Sequence, residues 1–303
     1  MCIRDRYWIG GPDRTPPRVA PFFGIDVRTG EDVLQADGPP LGLLPKLDQD
    51  VEREDRLPRP LYRPRIWALS PDGRTVAVTG PEGTILLWEL AADQERTRFR
   101  HARAVRGVAF HPAGHTLATT GLADSVLLWD VYGTQIETKK PTADELRLAW
   151  DDLANFDAAK AFGAIRTFIA GETNSLGVLT ERVAALPVLT TAEVKRLFAE
   201  LDAKDFRTRE SATSALRAVR AELGPRLAAA RTKVGPEGLR RIDTLLESRI
   251  RFGADDLRRL RAVEAVEAIG TKEARKLLIE WSRGDGILGI AAKSAVVRLD
   301  CRQ

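Results

Sequence analysis

Apolar runs and turn residues alternate at short, regular intervals over residues 63–140. Trp67-Ala68-Leu69 is followed by Ser70-Pro71-Asp72-Gly73, and Val76-Ala77-Val78 by Gly80-Pro81-Glu82-Gly83. Ile85-Leu86-Leu87-Trp88 leads into the polar hairpin Ala91-Ala92-Asp93-Gln94 and then the charged run Arg96-Thr97-Arg98-Phe99-Arg100. Proline presets φ in such turns and glycine supplies positive φ, so each apolar run is bounded at strand length. The pattern predicts four strands, apolar inside and polar at the outer edge. Charge on an edge strand keeps its open ladder from pairing with other chains.

The same order returns 41 residues later. Leu69 aligns with Phe110, Pro71 with Pro112, Gly80 with Gly121 and Trp88 with Trp129. A period of about 40–45 residues closed by Trp-Asp is the mark of four-stranded propeller blades. Upstream, Ile25-Asp26-Val27-Arg28-Thr29-Gly30-Glu31-Asp32-Val33-Leu34 reads as the closing hairpin of an earlier blade. A loop containing Pro39-Pro40 and the charge run Asp48 to Arg56 separates it from the next repeat. That makes at most two and a half blades, fewer than the 4–8 that usually close a ring.

From Pro141 onward the period changes to that of helices. Thr142-Ala143-Asp144-Glu145 is a capping box ahead of Leu146-Arg147-Leu148-Ala149-Trp150. Asp157 opens a helix from Ala158 to Ile169, Thr191-Ala192-Glu193 one from Val194 to Leu201, and Pro236-Glu237 one from Leu239 to Ile250. Ala254-Asp255-Asp256 opens Leu257 to Ile269, with Gly270 as C-cap, and Thr271 caps Ala274 to Trp281. Leu257, Leu260, Val263, Val266 and Ile269 form one stripe, which leaves Arg258, Arg259 and Arg261 on the opposite, solvent-facing side.

The repeats resemble the WD-repeat (beta-propeller) family, on Ser70-Pro71-Asp72-Gly73, Trp88-Glu89, His101, His111-Pro112 and Trp129-Asp130. The resemblance implies a buried hydrogen-bonded chain of His, Ser or Thr, Asp and Trp in each blade. The second repeat supplies His101, Thr119 and Trp129, with Asp124 about one position from the usual place. The first keeps Trp88 but has Val78 and Glu82 at the other positions. The structural blade positions are therefore Trp88, His101, Thr119, Asp124, Trp129 and Asp130, with apolar packing expected to carry most of the stability. Residues 201–212 and 264–278 resemble HEAT-type helical repeats, and the whole order is similar to the C-terminal end of long bacterial WD-repeat proteins.

The expected fold class is thus β plus α multidomain: a partial WD-repeat beta-propeller of about two to two and a half four-stranded antiparallel blades, then an all-α, HEAT-like helical domain. Boundaries fall at 1–20 (a non-native or disordered leader), 21–62 (partial blade hairpin plus Pro-rich, acidic loop), 63–140 (two blades) and 141–303 (helices). Met1-Cys2-Ile3-Arg4-Asp5-Arg6 has no strand period and no signal-peptide layout, which points to a fragment of a longer protein.

Bulk properties narrow the function classes. No run approaches the roughly 18 apolar residues of a membrane helix, so no membrane partner is expected. The two cysteines, Cys2 and Cys301, stand at opposite ends with no zinc spacing between them. A reducing, cytoplasmic setting fits that usage. Net charge is +4, with basic and acidic residues interleaved as on a solvated surface.

Candidate chemistry is sparse. There is no Gly-x-Ser-x-Gly elbow, P-loop or dinucleotide fingerprint. Asp151 and Asp152 are adjacent carboxylates at a helix end, and read as solvated. His111 and His115 bracket a Pro-Ala-Gly turn, which does not aim both rings at one ion. Neither catalytic residues, nor a metal site, nor a cofactor is expected. Arg96, Arg98, Arg100, Arg103 and Arg106 with Phe99 and His101 form the best nucleic-acid candidate, against the plainer reading of a strand whose arginines face water. The expected function is a non-catalytic protein–protein scaffold. Its partners are proteins of unknown identity and the missing upstream blades of the same polypeptide. The alternatives are a nucleic-acid-associated module using Arg96 to Arg106, or the regulatory tail of an enzyme encoded upstream.

Overall fold

A computed structural model describes residues 21–25, 32–37, 66–101, 104–121, 126–134, 139–247, 252–284 and 286–301. The leader, Cys2, Pro39-Pro40, the charge run Asp48 to Arg56, Arg103 and Asp124 lie outside the described residues. The chain divides into two compact units, Met1–Arg53 and Glu54–Gln303. In the first, β1 (Pro21–Ile25) pairs antiparallel with β2 (Asp32–Asp37), running from Pro21 opposite Asp37 to Gly24 opposite Leu34. These two strands flank residues 26–31, the turn of the expected hairpin, which lie outside the described residues.

The second unit begins with two antiparallel sheets. The first has the order β3 (Trp67–Leu69), β4 (Thr75–Thr79), β5 (Thr84–Glu89), β6 (Gln94–Arg100). The second has β7 (Val105–Phe110), β8 (Thr116–Gly121), β9 (Val126–Asp130). The two sheets are the successive blades that the repeat predicts. Among the described residues the second stops at three strands, one short of the four expected. After β9 the chain turns away: Asp130 accepts hydrogen bonds from the backbone N–H groups of Tyr132 (3.2 Å) and Gly133 (2.9 Å). Val131 and Tyr132 are then buried, and the Tyr132 carbonyl accepts from Arg166 Nε at 2.7 Å. Residues 135–138, where the repeat would place the start of a fourth strand, lie outside the described residues.

Nine α-helices follow among the described residues: α1 (Ala143–Asp152), α2 (Ala158–Ala184), α3 (Thr191–Glu200), α4 (Phe206–Ala218), α5 (Arg220–Ala230), α6 (Pro236–Glu247), α7 (Ala254–Ile269), α8 (Lys272–Trp281) and α9 (Ile287–Cys301). Local chemistry sets their starts. Thr142 and Glu145 close a capping box on α1, Asp157 caps α2 and Thr271 caps α8. Gly270 ends α7 at φ 65°. The cap of α3 is Thr190, one residue before the expected start, because Glu193 at its third helical position accepts a hydrogen bond from the Thr190 backbone N–H. Helix α2 runs on past Ile169 to Ala184, with a break at Glu172 (φ 46°) that propensity alone does not reveal.

Two hydrophobic cores result. One joins the blades to α1, α2, α7, α8 and α9 through Ala77, Ile85, Leu87, Leu117, Tyr132, Ile165, Phe168, Val263 and Leu278. The other lies within α3 to α6, around Leu201, Leu216, Leu227 and Ile242. Asp202, just after α3, links the ends of that second group. Its carboxylate accepts from the backbone N–H of Gly235 (2.6 Å) and Gly238 (2.8 Å) at the start of α6, where a helix leaves donors unsatisfied.

Candidate functional site

The predicted blade positions come together only in part. In the second blade, Trp129 Nε1 donates to Thr119 Oγ1 at 2.9 Å, and Thr119 is fully buried. His101 is buried with its ring against Gly121; a Cβ at Gly121 would sit 2.4 Å from His101 Cε1. Asp130 holds the turn after β9. In the first blade Val78 stands where Thr119 does and offers no hydroxyl. Trp88 Nε1 turns instead to Asp93 Oδ1 at 3.1 Å, within the hairpin before β6.

The arginine strand departs from expectation. Arg96 is buried, not turned to water. Leu87 pairs with Thr97 and Trp88 with Glu95, so Arg96 is the extra residue of a bulge and leaves the face that Arg98 and Arg100 share. Its guanidinium meets Glu264 of α7 through two 2.7 Å hydrogen bonds and Glu89 at 3.1 Å. Arg98 is paired with Glu95 and Arg100 with Glu82. The Phe99 ring stacks on Trp129 with centroids 5.1 Å apart, which leaves no open ring for a base. This arrangement does not favour the nucleic-acid alternative.

Arg261 and Arg259 of α7 are also buried, contrary to the solvent-facing side predicted for them. Helix α7 is enclosed on every side, so its apolar stripe has no solvated opposite. Arg261 binds both oxygens of Glu89 (2.9 and 2.8 Å) and the carbonyls of Leu153 and Asn155 (both 2.7 Å). Glu267, two turns along, receives Arg74 of the first blade (2.9 Å) and Arg298 of α9 (2.8 and 2.7 Å). Tyr132 Oη donates to Glu264 at 3.1 Å. Burial opposes ionisation of Glu89, but Arg96 and Arg261 outweigh it and hold its pKa below the usual carboxylate range. Arg74 and Arg298 do the same for Glu267. Burial, then the Glu264 charge, push the Tyr132 hydroxyl well above its ordinary value. The network is locked charge against charge, and its chemistry is structural. Sequence reasoning missed it, although Arg261, Glu264 and Glu267 at steps of three share one helix face.

The remaining candidates are separated. His111 Nδ1 accepts from the Ala113 backbone at 3.1 Å, His115 lies edge-on to Tyr132, and His101 is buried apart from them. Among the described residues no group of three or more His, Cys, Asp or Glu is placed to hold a metal ion. Asp151 is exposed at the end of α1. Among the described residues, no helix is long and apolar enough to cross a membrane.

What the blades do present is apolar surface. The register puts Ala77, Ile85, Leu87 and Phe99 on one face of the first blade, and Val108, Phe110, Leu117 and Trp129 on one face of the second. These two faces pack together in the first core. The other two faces point outward. On the first blade that face carries Trp67 (54% exposed) and Leu69 (42%) at β3, beside the buried Val76 and Leu86. On the second it carries Val126 (62%) and Leu128 (72%), in line with Thr120 and Ala118. Exposed apolar clusters of this kind mark interaction surfaces.

Residues 93–130 match the family described as WD domain, G-beta repeat. That span covers the outer strand of the first blade and all three strands of the second. No curated protein matches the chain.

Proposed function

We propose that the chain is a non-catalytic protein–protein interaction scaffold, the C-terminal part of a longer WD-repeat polypeptide of bacterial, cytoplasmic origin. Further blades cover its outward faces, and the helices offer a second, HEAT-like interaction surface. One observation carries this reading. Ile85 and Leu87 are fully buried, while Val126 and Leu128, their counterparts 41 residues later, are 62% and 72% exposed. Burying one Leu or Val side chain is worth about 1.5–3 kcal/mol, so such a face gains from a cover. The matched WD repeat supports the same class, since blades are binding scaffolds.

The reading frame upstream of Met1 tests the fragment. Continued open frame encoding further 41-residue units is the expected result. A native in-frame stop just before Met1 would overturn it. The same upstream sequence decides the enzyme-tail alternative, through the presence or absence of a catalytic domain.

A further inference from the structure

Helices α3 and α5 leave a groove of about 560 Å³ between them, away from the blades. One wall is the α3 stripe from Thr191 to Asp202, which carries Val194, Lys195, Phe198 and Ala199 at steps of three and four. The other wall is Arg226, Ala229 and Ala230 of α5, continued by Lys233 and Val234 of the turn after it, again at those steps. The Lys233 backbone N–H fixes that turn by donating to the Ala230 carbonyl at 2.9 Å. Two helical stripes face one another across a trough, and the α3 wall is about 16 Å long at 1.5 Å per residue, roughly three helical turns.

The floor of the trough is apolar. Val194 and Ala230 are buried, and Phe198 and Val234 pack half-buried on the second core. Ala199 and Ala229 are exposed and small, so a backbone can come close to them. The rim is basic: Lys195, Arg226 and Lys233 form no ion pair among the described residues. Their sequence neighbours Arg196 and Arg231 are held by Glu200 and Asp243. Asp202, the carboxylate at one end, is taken up by the N–H groups of Gly235 and Gly238.

We infer that this groove seats an amphipathic helix of a partner protein, apolar along one face and carrying Glu or Asp on both flanks. Charge complementarity selects the partner, because three cations without carboxylates line an apolar floor. No strand lines the groove, so backbone pairing is not the mode. A helix presents apolar anchors at steps of three, four and seven to a floor of this length. The inference rests on reading the helices as an interaction surface, and it adds the chemistry of what they hold.

Fluorescence anisotropy of the full chain tests it, with a labelled synthetic helix of about 14 residues, enough to span the trough. That peptide has Leu along one face and Glu on both flanks; a second has Lys in place of each Glu. The expected result is saturable binding of the Glu peptide with a Kd of about 10–100 µM, as for a small interface. Binding should weaken as salt rises, and the Lys peptide should not bind. Lys195→Glu combined with Lys233→Glu should weaken the Glu peptide about tenfold or more and admit the Lys peptide. Ala229→Trp should block the trough. Lys276→Glu, the same charge change on exposed α8, should alter nothing. Both groove lysines and Ala229 are exposed, and matched circular dichroism and urea midpoints verify that the variants fold. No saturable binding of the Glu peptide overturns the inference, as do equal affinities for the two peptides or binding unmoved by the charge reversal. A groove that takes decanoate but not the peptide is a small-anion site, which also overturns it. None of these outcomes touches the fragment, which stands or falls with the upstream frame.

Discussion

The guanidinium of Arg96, on the outer strand of the first blade, grips the carboxylate of Glu264, on α7, through two hydrogen bonds of 2.7 Å. The two residues are 168 positions apart, and the pair is wholly buried. It belongs to a chain of alternating charges: Arg261 to Glu89, Glu89 to Arg96, Arg96 to Glu264. The energetics of such a chain are asymmetric. Formed in full, it contributes little net stability, because desolvation offsets the Coulomb gain. Breaking it by removing one member leaves a buried charge without compensation.

The first prediction follows. Arg96→Met should destabilise the chain by about 3–5 kcal/mol. Glu264→Leu should do the same, because Arg96 would then keep only Glu89 as a paired carboxylate, with Thr75 as its neutral partner. The double replacement should cost clearly less than the sum of the two, since neither charge is stranded. Urea unfolding of the four proteins measures the coupling. Additive effects would mean that the pair does not act as a unit.

The second prediction concerns acid. Glu89 and Glu267 have folded-state pKa values below their ordinary 4.5, and Asp72 is likewise depressed: burial opposes its ionisation, and Arg74 and Ser70 outweigh it. A carboxylate with a depressed folded pKa contributes stability above its unfolded pKa and loses it as pH falls through the folded value. Asp256 works in the opposite sense, because burial raises its pKa. Glu145, Glu193, Asp205 and Glu237 are depressed as well, by hydrogen bonds to their charged forms, so depressed carboxylates outnumber Asp256 and set the net direction. The urea midpoint should stay level from about pH 7 to 5 and fall progressively below about 4.5. Glu267→Gln should lower the plateau and flatten part of the fall.

How much of this was legible differs from element to element. The strands follow from period and turn residues alone, as do the caps Thr142, Asp157, Thr271 and Gly270, because each is a local effect. The fate of Arg96 was not legible. Strict alternation puts Arg96 with Arg98 and Arg100, and only the bulge opposite Leu87 and Trp88 separates them. Arg259 and Arg261 failed for a related reason. The leucine stripe on α7 identifies one buried face but does not say that the opposite face is buried as well. Burial there depends on β6, α2 and α9, which are distant in sequence. The outward faces were half legible: the repeat count implies open ends, while the contrast between Leu87 and Leu128 needs coordinates.

The third prediction concerns the pair formed by the Trp129 indole and the Thr119 hydroxyl. Thr119→Val keeps the shape of the side chain and removes the acceptor of Trp129 Nε1. The loss should be about 1 kcal/mol, near the net worth of a typical hydrogen bond, because Trp129 is only half-buried. In the first blade Val78→Thr should yield no comparable gain, because Trp88 Nε1 already donates to Asp93. Urea midpoints of both variants decide this. Equal and opposite shifts would mean that the two tryptophans are interchangeable.

The last prediction compares two glycines at the same place in the repeat. Gly80 and Gly121 are 41 residues apart, and neither has a positive φ, so backbone strain does not distinguish them. Their surroundings do. A methyl group at Gly80 would meet Thr84 at 3.5 Å, an ordinary contact. At Gly121 it would lie 2.4 Å from Cε1 of His101 and 3.1 Å from both ring nitrogens. His101 is buried and its backbone N–H donates to Gly83 at 2.8 Å, so the ring has little room to retreat. Gly121→Ala should therefore cost about 1–3 kcal/mol through overpacking. Gly80→Ala should stay within about 1 kcal/mol, with a small gain from the stiffer unfolded chain. His101→Ala should relieve the clash, so Gly121→Ala added to it should cost little more. Urea unfolding of this set, with circular dichroism to follow the sheets, gives the answer. Equal costs at Gly80 and Gly121 would show that the histidine ring does not set the requirement for glycine.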